Sequence, residues 1–285
     1  MQNQPIGIFD SGLGGLTVVQ EMRRRLPGED IIYFGDTARV PYGSKSPQTV
    51  FRFAFEVSSF LLRFEPKLII AACNTASALA LDKLEKQLPV PVLGVVEPGA
   101  AEAVRRNPPG ANRPIGVIAT EATINSHAYA RAIQALAPET PIIEQACPSL
   151  VAVIEEGRTS RDPIVRMLLI DYLEKIRALN PGSLVLGCTH YPLIKAGVAE
   201  VLGDHVALVD SAEATARAAE QRLAQQAALN GRAAGGRLQC YVSDNPQRFR
   251  EVGSRFLAEP IKDVAWITPE QFFVEQDQPT PQPVP

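Results

Sequence analysis

The feature that most constrains this chain is a pattern that occurs twice. The run Pro5-Ile6-Gly7-Ile8-Phe9-Asp10-Ser11 reappears as Pro114-Ile115-Gly116-Val117-Ile118-Ala119-Thr120, and each copy leads into a helical stretch. Later in each half an apolar run ends on a cysteine: Leu68-Ile69-Ile70-Ala71-Ala72-Cys73-Asn74-Thr75, then Leu184-Val185-Leu186-Gly187-Cys188-Thr189-His190. Short β-branched runs that alternate with longer helical patterns mark a parallel sheet covered by crossover helices. The same landmarks, in the same order and at nearly the same spacing, predict two α/β units of one architecture.

Second strands are expected over residues 31–35 and 141–145, and fourth strands over 91–95 and 206–209. Beyond residue 209 the pattern predicts an alanine-rich helix from Ser211 to about Leu229 and a glycine-rich turn over 230–236. A strand, a helix and a strand then run through Trp266 and return to the first unit. The expected fold is therefore two pseudo-symmetric parallel-sheet α/β domains, 1–97 with 210–275 and 98–209, with the site in the cleft between them. Residues 276–285 hold four prolines and no apolar periodicity, and are expected to be disordered.

At 285 residues and 46% hydrophobic, the chain can build two cores. Its net charge of −3 and scattered basic residues favour neither nucleic acid nor an anionic membrane as partner, so a small-molecule substrate is expected. The N-terminus enters an apolar strand without a basic leader or a long apolar run. No signal peptide or spanning helix is expected, and the location implied is cytoplasmic. Cys73, Cys147, Cys188 and Cys240 lie far apart, without zinc-site or redox-motif spacing, and are expected to be free thiols.

Parallel sheets bind ligands in the crevice at the carboxyl ends of their strands. That rule collects Asp10, Ser11, Asp36, Cys73, Asn74, Thr75, Thr120, Cys188, Thr189 and His190. Cys147 and Cys240 are expected to be core fillers. Cys73 and Cys188 differ, because each follows a strand, precedes small polar residues and occupies the same place in its half. Two matched thiols are what inversion at an amino-acid Cα requires: a thiolate takes the proton from one face while a thiol delivers one to the other.

Asp10 and His190 are the candidates to set those protonation states, the alternative for His190 being a histidine packed at a strand end. His127 and His205 are read as structural. Asn74, Thr75, Thr189 and the amides of helix starts can hold carboxylates or act as helix caps. The run Asp10-Ser11-Gly12-Leu13-Gly14-Gly15 is similar to a dinucleotide fingerprint, but Thr17 occupies the third glycine position. These glycines are read as a tight turn that lets backbone approach a small ligand.

The runs F-D-S-G-L-G-G at 9–15, D-T-A-R-V-P-Y-G at 36–43, A-A-C-N-T-A-S at 71–77 and G-C-T-H-Y-P-L-I at 187–194 together resemble the glutamate racemases of bacterial cell-wall synthesis. The resemblance spans about Ile6 to Ile267 and implies a Rossmann-like, aspartate/glutamate racemase-type fold. By it, Cys73 acts on D-glutamate and Cys188 on L-glutamate, with Asp10 and His190 assisting. Asp36 and Glu155 are auxiliary carboxylates; the adjacent Glu156 is a second candidate for the latter, and the family has proline where Ala152 stands. Substrate contacts carried over are Asp10, Ser11, Pro41, Tyr42, Gly43, Asn74, Thr75, Thr120, Thr123, Thr189 and His190.

The resemblance further implies no cofactor or metal, a homodimer, and D-glutamate destined for peptidoglycan. The short N-terminus implies no obligatory nucleotide-linked activator. Three readings compete with this one. The two-thiol chemistry is indifferent to the side chain, so an aspartate racemase fits it equally. A binding protein would not need both thiols. A cysteine hydrolase using Cys188 with His190 would need one essential cysteine and an oxyanion hole.

Overall fold

The computed structural model describes residues 2–107, 113–268 and 271; the proline-rich stretch 276–285 lies outside the described residues. The first half runs β1 (Ile6–Asp10), α1 (Leu16–Arg25), β2 (Ile31–Gly35), α2 (Pro47–Leu62), β3 (Leu68–Ala71), α3 (Asn74–Gln87), β4 (Val92–Gly94) and α4 (Val96–Arg106). The second runs β5 (Ile115–Ala119), α5 (Glu121–Asn125), α6 (Ala128–Leu136), β6 (Ile142–Ala146), α7 (Ser149–Glu155), α8 (Pro163–Ala178), β7 (Ser183–Gly187), α9 (Lys195–Leu202) and β8 (Ala207–Asp210). The returning segment supplies α10 (Ser211–Gln225), β9 (Leu238–Val242), α11 (Pro246–Leu257) and β10 (Val264–Trp266).

These strands form two parallel sheets, ordered β10-β9-β2-β1-β3-β4 and β6-β5-β7-β8. The order β2-β1-β3-β4 in the first matches β6-β5-β7-β8 in the second, which is the repeat visible in the sequence. The registers match as well: Ile6 pairs with Ile31 and Leu68, and Ile115 with Ile142 and Ser183. Every residue of β1, β2, β5 and β7 is buried, as expected where helices cover both faces. In each sheet the chain reverses direction of growth between its first and third strands, which opens a crevice at their carboxyl ends. Asp10 and Cys73 sit there in one sheet, Thr120 and Cys188 in the other.

The apolar core is continuous between the halves. One cluster of buried side chains includes Ile6, Tyr33 and Val95 together with Ile118, Cys188, Tyr191 and Phe256. Cys147 and Cys240 are fully buried within it, and burial pushes both thiols up, Cys240 to about 12. No helix among the described residues is long and apolar enough to cross a membrane.

Helix α10 ends at Gln225, short of the expected Leu229. Ala227 takes a left-handed conformation (φ 50°), and the Ala228 N–H closes the helix onto the Leu223 carbonyl at 2.8 Å. The turn has a purpose in the packing, for it presents the Ala228 carbonyl to Lys67 Nζ at 2.8 Å. Lys67 also donates to the Gln2 carbonyl at 2.9 Å and pairs with Glu29 at 2.5 Å, both side chains being almost wholly inaccessible. Glu29 Oε1 accepts from the Asn230 N–H at 2.7 Å. One buried ion pair thus ties the N-terminus, the start of β3 and the segment after α10 together.

Candidate active site

Strand β7 delivers Cys188 into the crevice, and the chain turns at once into a short 3-10 helix, Tyr191–Ile194, with His190 at its start. This places His190 Nδ1 3.8 Å from Cys188 Sγ and 3.4 Å from Thr189 Oγ1. The other ring nitrogen, Nε2, lies 3.0 Å from Glu155 Oε1 at the end of α7. Phe256 meets the imidazole edge-on, ring centres 5.0 Å apart. Burial opposes charge on the ring, yet the Cys188 sulfur and the Glu155 carboxylate outweigh it and raise the His190 pKa to about 10. Burial likewise raises Glu155, but the hydrogen bond and charge of His190, helped by Arg248, bring it below its usual value.

A proton held more tightly in the folded state adds stability that is complete below the unfolded histidine pKa of about 6.5. That stability is lost progressively as pH rises toward about 10. Urea midpoints recorded against pH should therefore decline across this window in the wild-type protein and more shallowly in His190→Gln. An equally steep decline in the variant would show that another group is responsible.

Cys73 is built differently. It follows β3 as the N-terminal cap residue of α3, with no side-chain capping bond, so the caps of this helix are not Asn74 or Thr75. Burial lifts its pKa to about 12 and the negative charge of Asp10 adds to this, against the Ala76 N–H and the Ser11 contacts. The thiol donates toward Ser11 Oγ at 3.7 Å. Asp10 closes β1, its Oδ2 accepting the Gly12 N–H at 2.8 Å. Its Oδ1 is buried without a hydrogen-bond partner among the described residues. Burial raises the Asp10 pKa, and the charge of His190 works the other way. One sulfur therefore faces a carboxyl group and the other an imidazole.

Threonine hydroxyls join the halves. Thr75 Oγ1 lies 3.0 Å from Thr120 Oγ1 and 3.1 Å from Thr123 Oγ1, and the latter two are 3.0 Å apart. Tyr129 of α6 donates to Asn74 Oδ1 at 2.6 Å, leaving Asn74 Nδ2 buried and unpartnered among the described residues. Thr17, at the third position of the glycine-rich run, donates to the Gly14 carbonyl (2.9 Å) and the Thr189 carbonyl (3.2 Å).

Within that run the backbone of Gly14 packs closely against the second half of the chain. A Cβ there would lie 2.1 Å from Thr189 Oγ1 and 2.6 Å from the His190 ring. Gly14→Ala must displace one or both, and misplacement on this scale is expected to lower kcat/KM by the order of a hundredfold. Assay of a variant whose thermal midpoint is unchanged would test this, and near wild-type turnover would show that the contact yields freely. Gly43 has the same relation to Thr120, whose Cβ a substituent would approach to 2.8 Å.

Asp36 follows β2 and is fully engaged. Its Oδ2 accepts from the Tyr42 hydroxyl and from Arg39 Nε, and Oδ1 from Ser243 Oγ at 2.8 Å. Arg39 also pairs with Glu56. Burial raises the Asp36 pKa against these partners. The carboxylate anchors the loop of Pro41, Tyr42 and Gly43, in which the Val40–Pro41 peptide is cis. Of the two neighbouring glutamates, Glu155 reaches His190, whereas Glu156 is exposed and pairs with Arg158. Ala152 stands inside α7, its carbonyl accepting the Glu156 N–H, a place where alanine suits the helix. His127 and His205 lie at the surface, the former paired with Glu144.

Sequence reasoning did not single out Tyr129, Ser243, Arg39, Arg248 or Phe256, each of which touches a candidate site residue. Of these, only Arg39, three residues from Asp36, carried a local signal. Among the described residues there is no cluster of three or more metal-ligating side chains.

Comparison with known proteins shows the family and the fold. A glutamate racemase of Geobacter metallireducens is 48% identical over 93% of this chain and 97% of its own length. The crystal structure of a Francisella tularensis glutamate racemase in complex with D-glutamate matches with a TM-score of 0.86 and 39% identity, covering 94% of this chain and 98% of that one. That of the Escherichia coli glutamate racemase with L-glutamate and the activator UDP-MurNAc-ala matches with 0.73 and 27%, covering 93% and 98%. The model of the family described as Asp/Glu/Hydantoin racemase matches residues 6–219. By sequence over three quarters of its length, and by fold over nearly all of it, the chain is an isomerase that belongs to the Asp/Glu/hydantoin racemase family.

Proposed function

We propose that this protein interconverts L- and D-glutamate by transferring Cα protons between two cysteines, without a cofactor. The observation that carries the reading is the unequal setting of two buried thiols at equivalent strand ends. An imidazolium beside Cys188 is the partner a thiolate needs, while burial and Asp10 keep Cys73 protonated. In the L-to-D direction the Cys188 thiolate takes the Cα proton. Cys73 S–H gives its proton to the opposite face, and the product leaves with Cys188 as thiol and Cys73 as thiolate. The reverse direction starts from that second form. Asp10 and His190 assist the adjacent sulfurs, and Glu155 and Asp36 act through His190 and the 36–43 loop.

Asn74 Nδ2, the first-turn amides of α3 and the threonines at 75, 120, 123 and 189 are suited to hold the two substrate carboxylates, with Ser11, Pro41, Tyr42 and Gly43 closing the pocket. We further propose two domains, 1–97 with 210–275 and 98–209, a cytoplasmic homodimer, and D-glutamate supplied for peptidoglycan. Glutamate as substrate is supported by relatives bearing that activity and by structural neighbours in complex with both enantiomers.

Incubation of cofactor-free protein with L-glutamate in deuterium oxide tests the proposal. Decay of optical activity together with deuterium at Cα supports it. Turnover of aspartate in place of glutamate would redirect the specificity, and binding without exchange of either would reduce the protein to a receptor.

A further inference from the structure

Behind Cys188 the charges alternate in sign on the way to the surface. After the sulfur come the His190 imidazole at 3.8 Å and then the Glu155 carboxylate, 3.0 Å from Nε2. Oε2 of Glu155 lies 3.8 Å from Nη2 of Arg248, in the first turn of α11. Asn245 caps that turn, accepting the Arg248 N–H at 2.9 Å. The same helix lays the Arg255 guanidinium against Gly157, just past the end of α7, and sends Phe256 to the His190 ring. Helix α11 therefore brackets Glu155, although it comes from the returning segment and Glu155 from the second half.

We propose that Arg248 is a positioning residue for the Cys188 side of the site, holding Glu155 ionised and aimed at His190 Nε2 so that the other ring nitrogen stays on the sulfur. The inference rests on the two-thiol reading of the site. A carboxylate with one oxygen hydrogen-bonded to the imidazole and the other drawn by charge toward a guanidinium 3.8 Å away is favoured in this orientation over a turned one. The charges that act on Glu155 are His190 and Arg248, which favour the carboxylate, and Asp10, which opposes it, while Asp244 lines the same cavity. Arg248 is more than half exposed, so its contribution is screened and modest.

The test compares wild type with Arg248→Met, which keeps the aliphatic stem but not the charge, and with Arg248→Lys. In Arg248→Met the acid limb of kcat/KM should move to higher pH by about half a unit, a loss of about threefold at any pH on that limb. The loss must be equal in both directions, because the enantiomers have equal free energy in water. Arg248→Lys should recover most of it. In substrate-free protein the downfield proton resonance of His190 Nε2–H should weaken or shift upfield in the methionine variant and persist in the lysine variant. An unmoved acid limb, or an unmoved resonance, would overturn the role of Arg248. A wild-type protein that shows the resonance but does not racemise glutamate would overturn only the two-thiol reading.

Discussion

Replacing either Cys73 or Cys188 by alanine is expected to reduce glutamate racemisation at least about a thousandfold, the scale on which positioned acid–base groups act. Inversion needs a base on one face of Cα and an acid on the other, so one sulfur cannot substitute for its partner. The two losses should be similar, since each thiol serves as base in one direction and as acid in the other. They should differ in what survives. With Cys188 and its imidazolium intact, Cys73→Ala retains the means to wash deuterium into L-glutamate without inverting it. Mass spectrometry beside polarimetry separates the two events. Cys240→Ala removes a thiol of the same burial from β9, and its turnover should stay near wild type. Appreciable inversion by Cys73→Ala would sink the two-base assignment.

A comparably large effect, on stability instead of turnover, is expected at Lys67. Its ammonium and the Glu29 carboxylate are 1% and 2% exposed, and the ammonium also carries the carbonyls of Gln2 and Ala228. Lys67→Met leaves a carboxylate buried without its counter-charge, and breaking such a pair costs about 3–5 kcal/mol. Urea unfolding should register that loss. Adding Glu29→Gln should then cost little more, or recover part of it, because the stranded charge is gone. A single-variant loss below about 1 kcal/mol would show that water reaches Glu29 in the folded protein.

How much of this was legible in advance depends on range. The repeated strand order was readable because β1 with β5, and β3 with β7, carry local signatures: glycine at the second position of the first pair, a cysteine after the second. The carboxyl-end rule then placed Asp10, Cys73, Thr120, Cys188 and His190 without any tertiary knowledge. What stayed hidden is side-chain partnership across the chain. Ser243 meets Asp36 from 207 residues away, Tyr129 meets Asn74 across 55, and Phe256 reaches His190 from the returning segment. No local pattern distinguishes these from ordinary polar or apolar residues, since their roles arise only when α6, α11 and the end of β9 pack. The end of α10 was missed for a related reason. Alanine at 227 and 228 favours helix, and the competing attraction of Lys67 and Glu29 for that backbone lies in another part of the chain.

The threonine trio at the seam has its own consequence. Three hydroxyls within 3.1 Å of one another, each with one proton, close a ring in which every member gives to the next and takes from the last. Two senses of circulation are available, and nothing internal to the ring selects between them. An anion that accepts a hydrogen bond from any one member opens the ring there and withdraws that member's proton from its neighbour. Because Thr75 comes from one half and Thr120 and Thr123 from the other, occupancy on one side of the seam is recorded by a hydroxyl rotor on the opposite side, with no backbone displacement required.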